Sequence, residues 1–339
     1  MGHPRMEEVK QIKQTLGEID KRIPDAVRAA VGLEHHYQNT SLRHNATTKT
    51  FAASLLRPKE QDHKAAPAFD ETSSKAISSP RKSKPEQDNG DGGEDQGALR
   101  MEWASCYVPD HGEDAHFGHD GVIGVADGVG GHRAPGVDAG AFARGLMASA
   151  SAQVAAAAMD QPTIPYTLLE RAYDETVASE ATGGSTAVIL SLASDVLKWA
   201  YIGDSGFAVL RDGKIVHRSV PQTRYFNAPF YLSCRGGKSI TAAKVGETPV
   251  RHGDVVVAGT DGLFDNVSDA GLEKVVRIGT ASGFSAKNMA DIIGGTAYEM
   301  SRCPVKDSPF AVESQKDKVR VHYRGGKVDD ITVVVALFK

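Results

Sequence analysis

Val122-Ile123-Gly124-Val125-Ala126-Asp127-Gly128-Val129-Gly130-Gly131 is the stretch from which the rest of the chain can be read. Five small or apolar residues describe a buried strand, a carboxylate closes it, and glycines follow. The same grammar returns at Val255-Val256-Val257-Ala258-Gly259-Thr260-Asp261-Gly262. It returns in reverse, acids first and strand after, at Asp329-Asp330-Ile331-Thr332-Val333-Val334-Val335. We read these three acidic strand ends as parts of one metal site.

Just upstream, Asp120-Gly121 is a two-residue hairpin turn between 115–119 and 122–126. Counting outward from it sets His119 against Val122, His116 against Val125 and Asp114 against Asp127, with Glu113 beside Gly128. Directly opposed Cβ atoms lie only about 4.5–5.5 Å apart, so opposed carboxylates repel unless a cation joins them. A slip of one residue exchanges Glu113 with Asp114.

Asp-Gly by itself means only a turn, and the chain contains its own controls. Asp120-Gly121 and Asp212-Gly213 sit between two strand-like runs, where a turn suffices. Asp127-Gly128 and Asp261-Gly262 instead end apolar strands and lead into a glycine loop or a helix. A carboxylate at a buried strand end costs desolvation unless it is paired. No lysine or arginine stands close to Asp261 in sequence, so metal ligation is the economical reading. Carboxylates, a backbone carbonyl at Gly128 and waters suit Mg²⁺ or Mn²⁺; zinc prefers His and Cys ligands. His116-x-x-His119 on a hairpin is a weak zinc signal.

Further along, helices are expected over 137–159 and 166–179, then strands at 185–192, 196–202, 206–210 and 214–218. Residues 219–244 read as a long irregular stretch, the kind of loop that often carries function. After the strand at 255–258 come two helices capped by Ser268 and Ser285, and a last strand at 331–338. Periodicity alone establishes only mixed α and β.

Upstream, Val9, Ile12, Leu16, Ile19 and Ile23 form one apolar stripe that Pro24 ends, an amphipathic helical segment within 1–37. The stripe is too short for a firm coiled coil, which favours a helix docked on the domain over one that binds a partner. Residues 38–97, rich in Ser, Pro, Lys and acids, read as a disordered polar linker, and 98–339 as the catalytic domain.

A net charge of -4 and a pI near 6.3 give no reason to expect nucleic-acid binding. The longest apolar run falls short of the roughly 18 residues a membrane span needs. Three scattered cysteines fit free thiols in an intracellular, reducing compartment. The acid-free run 41–59 has the composition of an organelle transit peptide but is internal, leaving cytoplasm and an organelle matrix (mitochondrion or plastid) both open. A cysteine-phosphatase loop, a P-loop and a Gly-x-Ser-x-Gly elbow are absent, and neither Asp127 nor Asp261 has the second Asp of an aspartyl-phosphate enzyme.

Six ordered motifs resemble the protein phosphatase 2C family of metal-dependent serine/threonine phosphatases. They are Glu113-Asp114-Ala115-His116, Asp127-Gly128-Val129-Gly130-Gly131, Gly184-Ser185-Thr186-Ala187, Gly203-Asp204-Ser205, Thr260-Asp261-Gly262-Leu263-Phe264-Asp265 and Asp329-Asp330-Ile331-Thr332. The branch with mitochondrial and plant organelle members is the most similar. The resemblance implies an α+β fold: a four-layer sandwich of two antiparallel sheets with helices on both outer faces. It implies hydrolysis of phosphoserine and phosphothreonine in phosphorylated protein substrates, by direct attack of water or hydroxide held on two Mg²⁺ or Mn²⁺ ions. Asp127 then bridges both ions, Glu113 and the Gly128 carbonyl complete one, and Asp261 and Asp329 complete the other. Asp114 and Asp330 stand behind the ligands or act through water.

The chain also departs from that pattern. Val129 replaces a histidine after the first Asp-Gly, Pro109 an arginine that binds phosphate, and Ala181 an aspartate used for a third ion. The hypothesis offered in their place is that a metal-bound water protonates the leaving group while Arg133 or His132 holds the phosphate. An unchanged Michaelis constant in Arg133→Ala contradicts the arginine part. The alternative reading of the whole chain is a catalytically silent member that binds phosphoproteins, distinguished by phosphopeptide turnover with and without Mn²⁺.

Overall fold

Two five-stranded antiparallel sheets carry the chain in a computed structural model that describes residues 98–129, 138–157, 163–316 and 322–339. The expected helix at 6–23, the linker at 38–97 and the pair His132 and Arg133 lie outside the described residues. The elements run β1 (Met101–Val108), β2 (Asp114–His119), β3 (Val122–Asp127), α1 (Ala141–Ala156), α2 (Pro165–Ala178), β4 (Gly184–Ser185), β5 (Ala187–Ala193) and β6 (Val196–Ile202). They continue with β7 (Gly206–Arg211), β8 (Lys214–Arg218), β9 (Thr223–Tyr225), β10 (Ala228–Pro229), β11 (Leu232–Ser233), β12 (Lys244–Pro249) and β13 (Val255–Gly259). Last come α3 (Asp261–Phe264), α4 (Asp269–Ala281), α5 (Ala286–Ser301), α6 (Pro309–Lys316) and β14 (Ile331–Phe338).

One sheet has the order β1-β14-β13-β7-β8 and the other β12-β6-β5-β3-β2. Val256, Ala258, Val334 and Ala336 of the first meet Ile123, Val125, Val188 and Leu190 of the second in the central core. On the outer face of the first sheet, Val257, Val333 and Val335 pack under Leu272, Met289 and Ile293 of α4 and α5. On the outer face of the second, Ala126, Ala187 and Ile189 pack under Phe142, Leu146 and Leu169 of α1 and α2. Sheets covered on both faces need strands apolar throughout, and all eight residues of β14 are buried. The result is the expected four-layer α+β sandwich.

Most element boundaries fall within a few residues of expectation, and β6, β8 and β14 match theirs. Both serine caps are present: Ser268 Oγ accepts from the Gly271 amide and Ser285 Oγ from the Asn288 amide. The hairpin is not the first element of the domain. β1 precedes it and pairs with β14 along eight residues, from Met101↔Phe338 to Val108↔Ile331. The sequence of β1 lacks clean alternation, because five of its inner residues are only half-buried. β12 is likewise unannounced: Lys244-Val245-Gly246-Glu247-Thr248-Pro249 is an exposed edge held by its ladder to β6.

Candidate active site

The β2–β3 register is the one counted from the turn: Asp114↔Asp127, with the Gly128 amide donating to the Glu113 carbonyl at 3.1 Å. Gly128 is required by space. A Cβ there would lie 2.7 Å from the Ala139 carbonyl oxygen and 2.9 Å from that of Glu113. The Gly-Ser-Thr and Gly-Asp-Ser motifs hold the end of β3. Thr186 Oγ1 accepts from the Asp127 amide at 3.1 Å, and the Thr186 amide and Ser185 Oγ both donate to the Asp127 carbonyl at 2.9 Å. Thr186 Oγ1 and Ser205 Oγ are linked at 2.7 Å.

Asp114 and Asp330 fasten the two sheets to one another. Thr260 and Thr332, at the ends of β13 and β14, donate their hydroxyls to Asp114 Oδ2 at 2.8 and 2.7 Å. Asp330 accepts four backbone amides in succession: those of Asp110, His111 and Gly112 on Oδ1 at 2.5, 2.9 and 3.0 Å, and that of Glu113 on Oδ2 at 2.7 Å. These bonds shape the loop that presents Glu113. Asp114 and Asp330 are thus engaged in scaffolding, which fits a place behind the metal ligands.

Asp261 begins the single turn α3, and Gly262 lets that turn lie against the strand end. A Cβ on Gly262 would stand 1.9 Å from the Asp330 carbonyl oxygen. Asp261 has a partner after all, 66 residues downstream: Lys327 Nζ bonds Asp261 Oδ2 and lies 2.8 Å from Asp265 Oδ2 and 3.1 Å from Asp329 Oδ2. His111 Nδ1 is 3.8 Å from Asp329 on the outer side.

The electrostatics report the crowding. Burial, then the charges of Asp261, Asp114, Asp329 and Asp204, push Asp127 well above the usual carboxylate range. Burial and Asp330 raise Asp114; burial and Asp261 raise Asp204. Asp265 is pushed up to about 7 by burial, with Lys327 opposing. Asp329 reaches about 6, through burial and Asp261. Burial acts to lower Lys327, and Asp261, Asp265 and Asp329 overcome it, holding the ammonium well above its ordinary value.

The residues fit hard divalent cations. Asp114 Oδ1, Asp204 Oδ1 and Asp261 Oδ1 are buried with no hydrogen-bond partner, and such orphaned anionic oxygens are costly without a cation. Among the described residues no three carboxylates already stand in ligating geometry around one point; the Lys327 ammonium holds the ground between Asp261, Asp265 and Asp329. A groove of about 920 Å³ bordered by Phe264, Val267, Met300 and Pro309 contains none of these acids. We place the chemistry at the acids, where charge and orphaned oxygens converge.

The structure therefore brings together Glu113, Asp114, Asp127, Gly128, Asp261, Asp329 and Asp330. Sequence reasoning gave no role to Asp204, Asp265, Asn266 or Lys327. A signal was available for Asp204, an acid beside the end of β6, and for Asp265, an acid four residues after Asp261 at the close of α3. Lys327 stood two residues before Asp329 and was sought near Asp261 instead.

No protein-family profile matches the chain. It is 62% identical over 337 residues to a rice protein (Oryza sativa subsp. japonica) named as protein phosphatase 2C 23, covering 98% of this chain and 97% of that one. Its fold is similar to the X-ray structure of the photosystem II phosphatase PBCP, with TM-score 0.62, 32% identity, and coverage of 70% of this chain and 99% of that one. It also matches the catalytic domain of the serine/threonine phosphatase PstP in complex with two manganese ions, with TM-score 0.51, 20% identity, and coverage of 71% and 99%. That second likeness speaks for the fold alone. The chain belongs to the protein phosphatase 2C family and is a protein phosphatase.

Proposed function

We propose that the protein hydrolyses phosphoserine and phosphothreonine in protein substrates at a binuclear Mg²⁺ or Mn²⁺ centre. Glu113, Asp127 and the Gly128 carbonyl would hold one ion, and Asp127, Asp261 and Asp329 the other. The observation that carries this reading is the set of orphaned, buried carboxylate oxygens where strand ends of both sheets meet. The two manganese ions of the PstP complex support the choice of metal. When bound, two such ions activate a shared water near neutral pH and offset the charge that grows on the phosphoryl oxygens during in-line attack.

The chain's own contribution is placement. The Thr186–Ser205 pair fixes the backbone of Asp127, and the Asp330 amide cradle fixes Glu113. Substrate choice is assigned to 219–244. Within it the β9–β10 hairpin seats Phe226 4.8 Å from Phe310, whose ring lies 5.2 Å from Lys327 Nζ. That contact sets the hairpin beside the acids. Arg133 and His132 keep their assignment to the substrate phosphate on sequence grounds.

The test is phosphopeptide turnover and metal content of the purified wild type beside Asp261→Asn, with and without chelator. Turnover that needs Mn²⁺ or Mg²⁺ and collapses in the variant is expected. Turnover that survives complete metal removal contradicts the reading, and none with metal restored favours a silent phosphoprotein-binding member.

A further inference from the structure

Lys327 is placed in the acid cluster by more than its charge. Asn266, only 2% exposed, grips its backbone, accepting from the Lys327 amide at 2.9 Å and donating to its carbonyl at 2.8 Å. The same Asn266 amide group donates to the Gly262 carbonyl at 2.9 Å, tying Lys327 to the turn that carries Asp261. Phe310, under the ammonium, is itself anchored by its amide to the Asp265 carbonyl at 3.0 Å. From this seat Nζ engages Oδ2 of Asp261, Asp265 and Asp329 together, with the lysine side chain 15% exposed. The second oxygen of Asp261, a residue 9% exposed, faces the site without a partner.

Asp261 and Asp329 are the two carboxylates, besides the bridging Asp127, that the proposed function gives to one of the ions. The ammonium already engages Oδ2 of both, and two cations held on the same pair of carboxylates repel each other at contact distance. We propose that Lys327 is a tethered cation that competes with the divalent ion at Asp261 and Asp329, so that binding of this ion drives the ammonium off their Oδ2 atoms. The proposal rests on the binuclear reading. Because the competitor is covalently attached, its local concentration is high and constant, and dilution does not remove it. Occupancy of the Asp261–Asp329 position therefore depends on the divalent-ion concentration needed to displace the ammonium. Without that ion, Lys327 keeps Asp261, Asp265 and Asp329 from repelling one another.

The experiment titrates Mn²⁺ calorimetrically into the full chain, wild type and Lys327→Met, counting ions and their dissociation constants. In parallel, lysines of the wild type are labelled by reductive methylation with and without Mn²⁺ and mapped by mass spectrometry. One of the two Mn²⁺ dissociation constants should tighten by about tenfold or more in Lys327→Met. Labelling of Lys327 in the wild type should rise several-fold as Mn²⁺ binds. Two ions in the wild type with an unchanged or weakened second position in the variant overturn the competition and leave the binuclear reading standing. A wild type that binds no Mn²⁺ overturns the binuclear reading and this proposal with it. If Lys327→Met does not fold, the labelling decides: an ion-dependent rise supports competition, and constant protection refutes it.

Discussion

Asp114 and Asp127 are direct partners across the β2–β3 ladder, two carboxylates at one register position. Only Asp114 is committed to the protein, through the hydroxyls of Thr260 and Thr332. That unequal commitment is why the proposed centre uses Asp127, and not Asp114, as a ligand. Asp127→Asn removes a like charge from the pair, so the metal-free variant should melt about 2–4 °C higher than wild type, or roughly 1 kcal/mol in a domain of this size. It should also lose Mn²⁺-induced stabilisation and fall about 10³-fold in kcat/KM. Calorimetry with and without Mn²⁺ reads both; equal melting temperatures for the chelated proteins would remove the repulsion argument.

The Asp330 cradle predicts a graded series. Asp330→Ala leaves the amides of 110–113 without their acceptor and should cost about 2–4 kcal/mol. Asp330→Asn keeps one acceptor oxygen and should fall between. Urea unfolding supplies the energies, and Mn²⁺ titration shows whether the Glu113 side weakens in step. Full ion affinity in Asp330→Ala contradicts the role given to the cradle.

Stability of the chelated protein should fall as pH rises across the site's own window. Asp265, at about 7, and Asp329, at about 6, both lie above the ordinary aspartate value of 3.8. Between roughly pH 4 and 7 the native state therefore holds protons the unfolded chain has released, and the stabilisation is complete at the acid end of that range. His116 works against this slope. Burial lowers it from 6.5 to about 4, so it withdraws stability as pH falls. Comparing wild type with Asp265→Asn isolates the carboxylate part. Melting curves from pH 4 to 8 in chelator should slope less steeply downward in the variant, and identical slopes would rule Asp265 out as a contributor.

Tyr225 stands 71% exposed on the β9–β10 hairpin, beside the buried contact of Phe226 with Phe310. Such an aromatic has area to offer a peptide and little to offer the fold. Tyr225→Ala should raise KM for a phosphopeptide about three- to tenfold with kcat and melting temperature nearly unchanged. A small phosphomonoester serves as the control, since it cannot reach the hairpin. Equal losses on both substrates would place the effect elsewhere.

What the sequence made legible was local. The Asp120-Gly121 turn fixes the β2–β3 register because the side-chain period of two leaves no tolerance for slip. Acids at the ends of apolar strands announce themselves by breaking hydrophobic runs. The layer order came from family resemblance, since strand periodicity carries no information on which sheet a strand joins. β1 was hidden because its partner β14 lies more than two hundred residues away and its own burial is partial. Lys327 was hidden because proximity to Asp261 arises through the Asn266 clamp, not through sequence distance.

β14 lies second in its sheet, and Asp329 and Asp330 come immediately before it, reaching back 220 residues to the amide of Asp110. During synthesis, a ribosome that has made everything up to residue 328 has produced the hairpin, the helices and most strands, yet nothing to fill the gap between β1 and β13. Until that segment emerges the first sheet stays open between β1 and β13, and the loop 110–113 lacks the carboxylate that holds its amides. Closing the sheet then joins segments more than two hundred residues apart, and such non-local pairing slows folding.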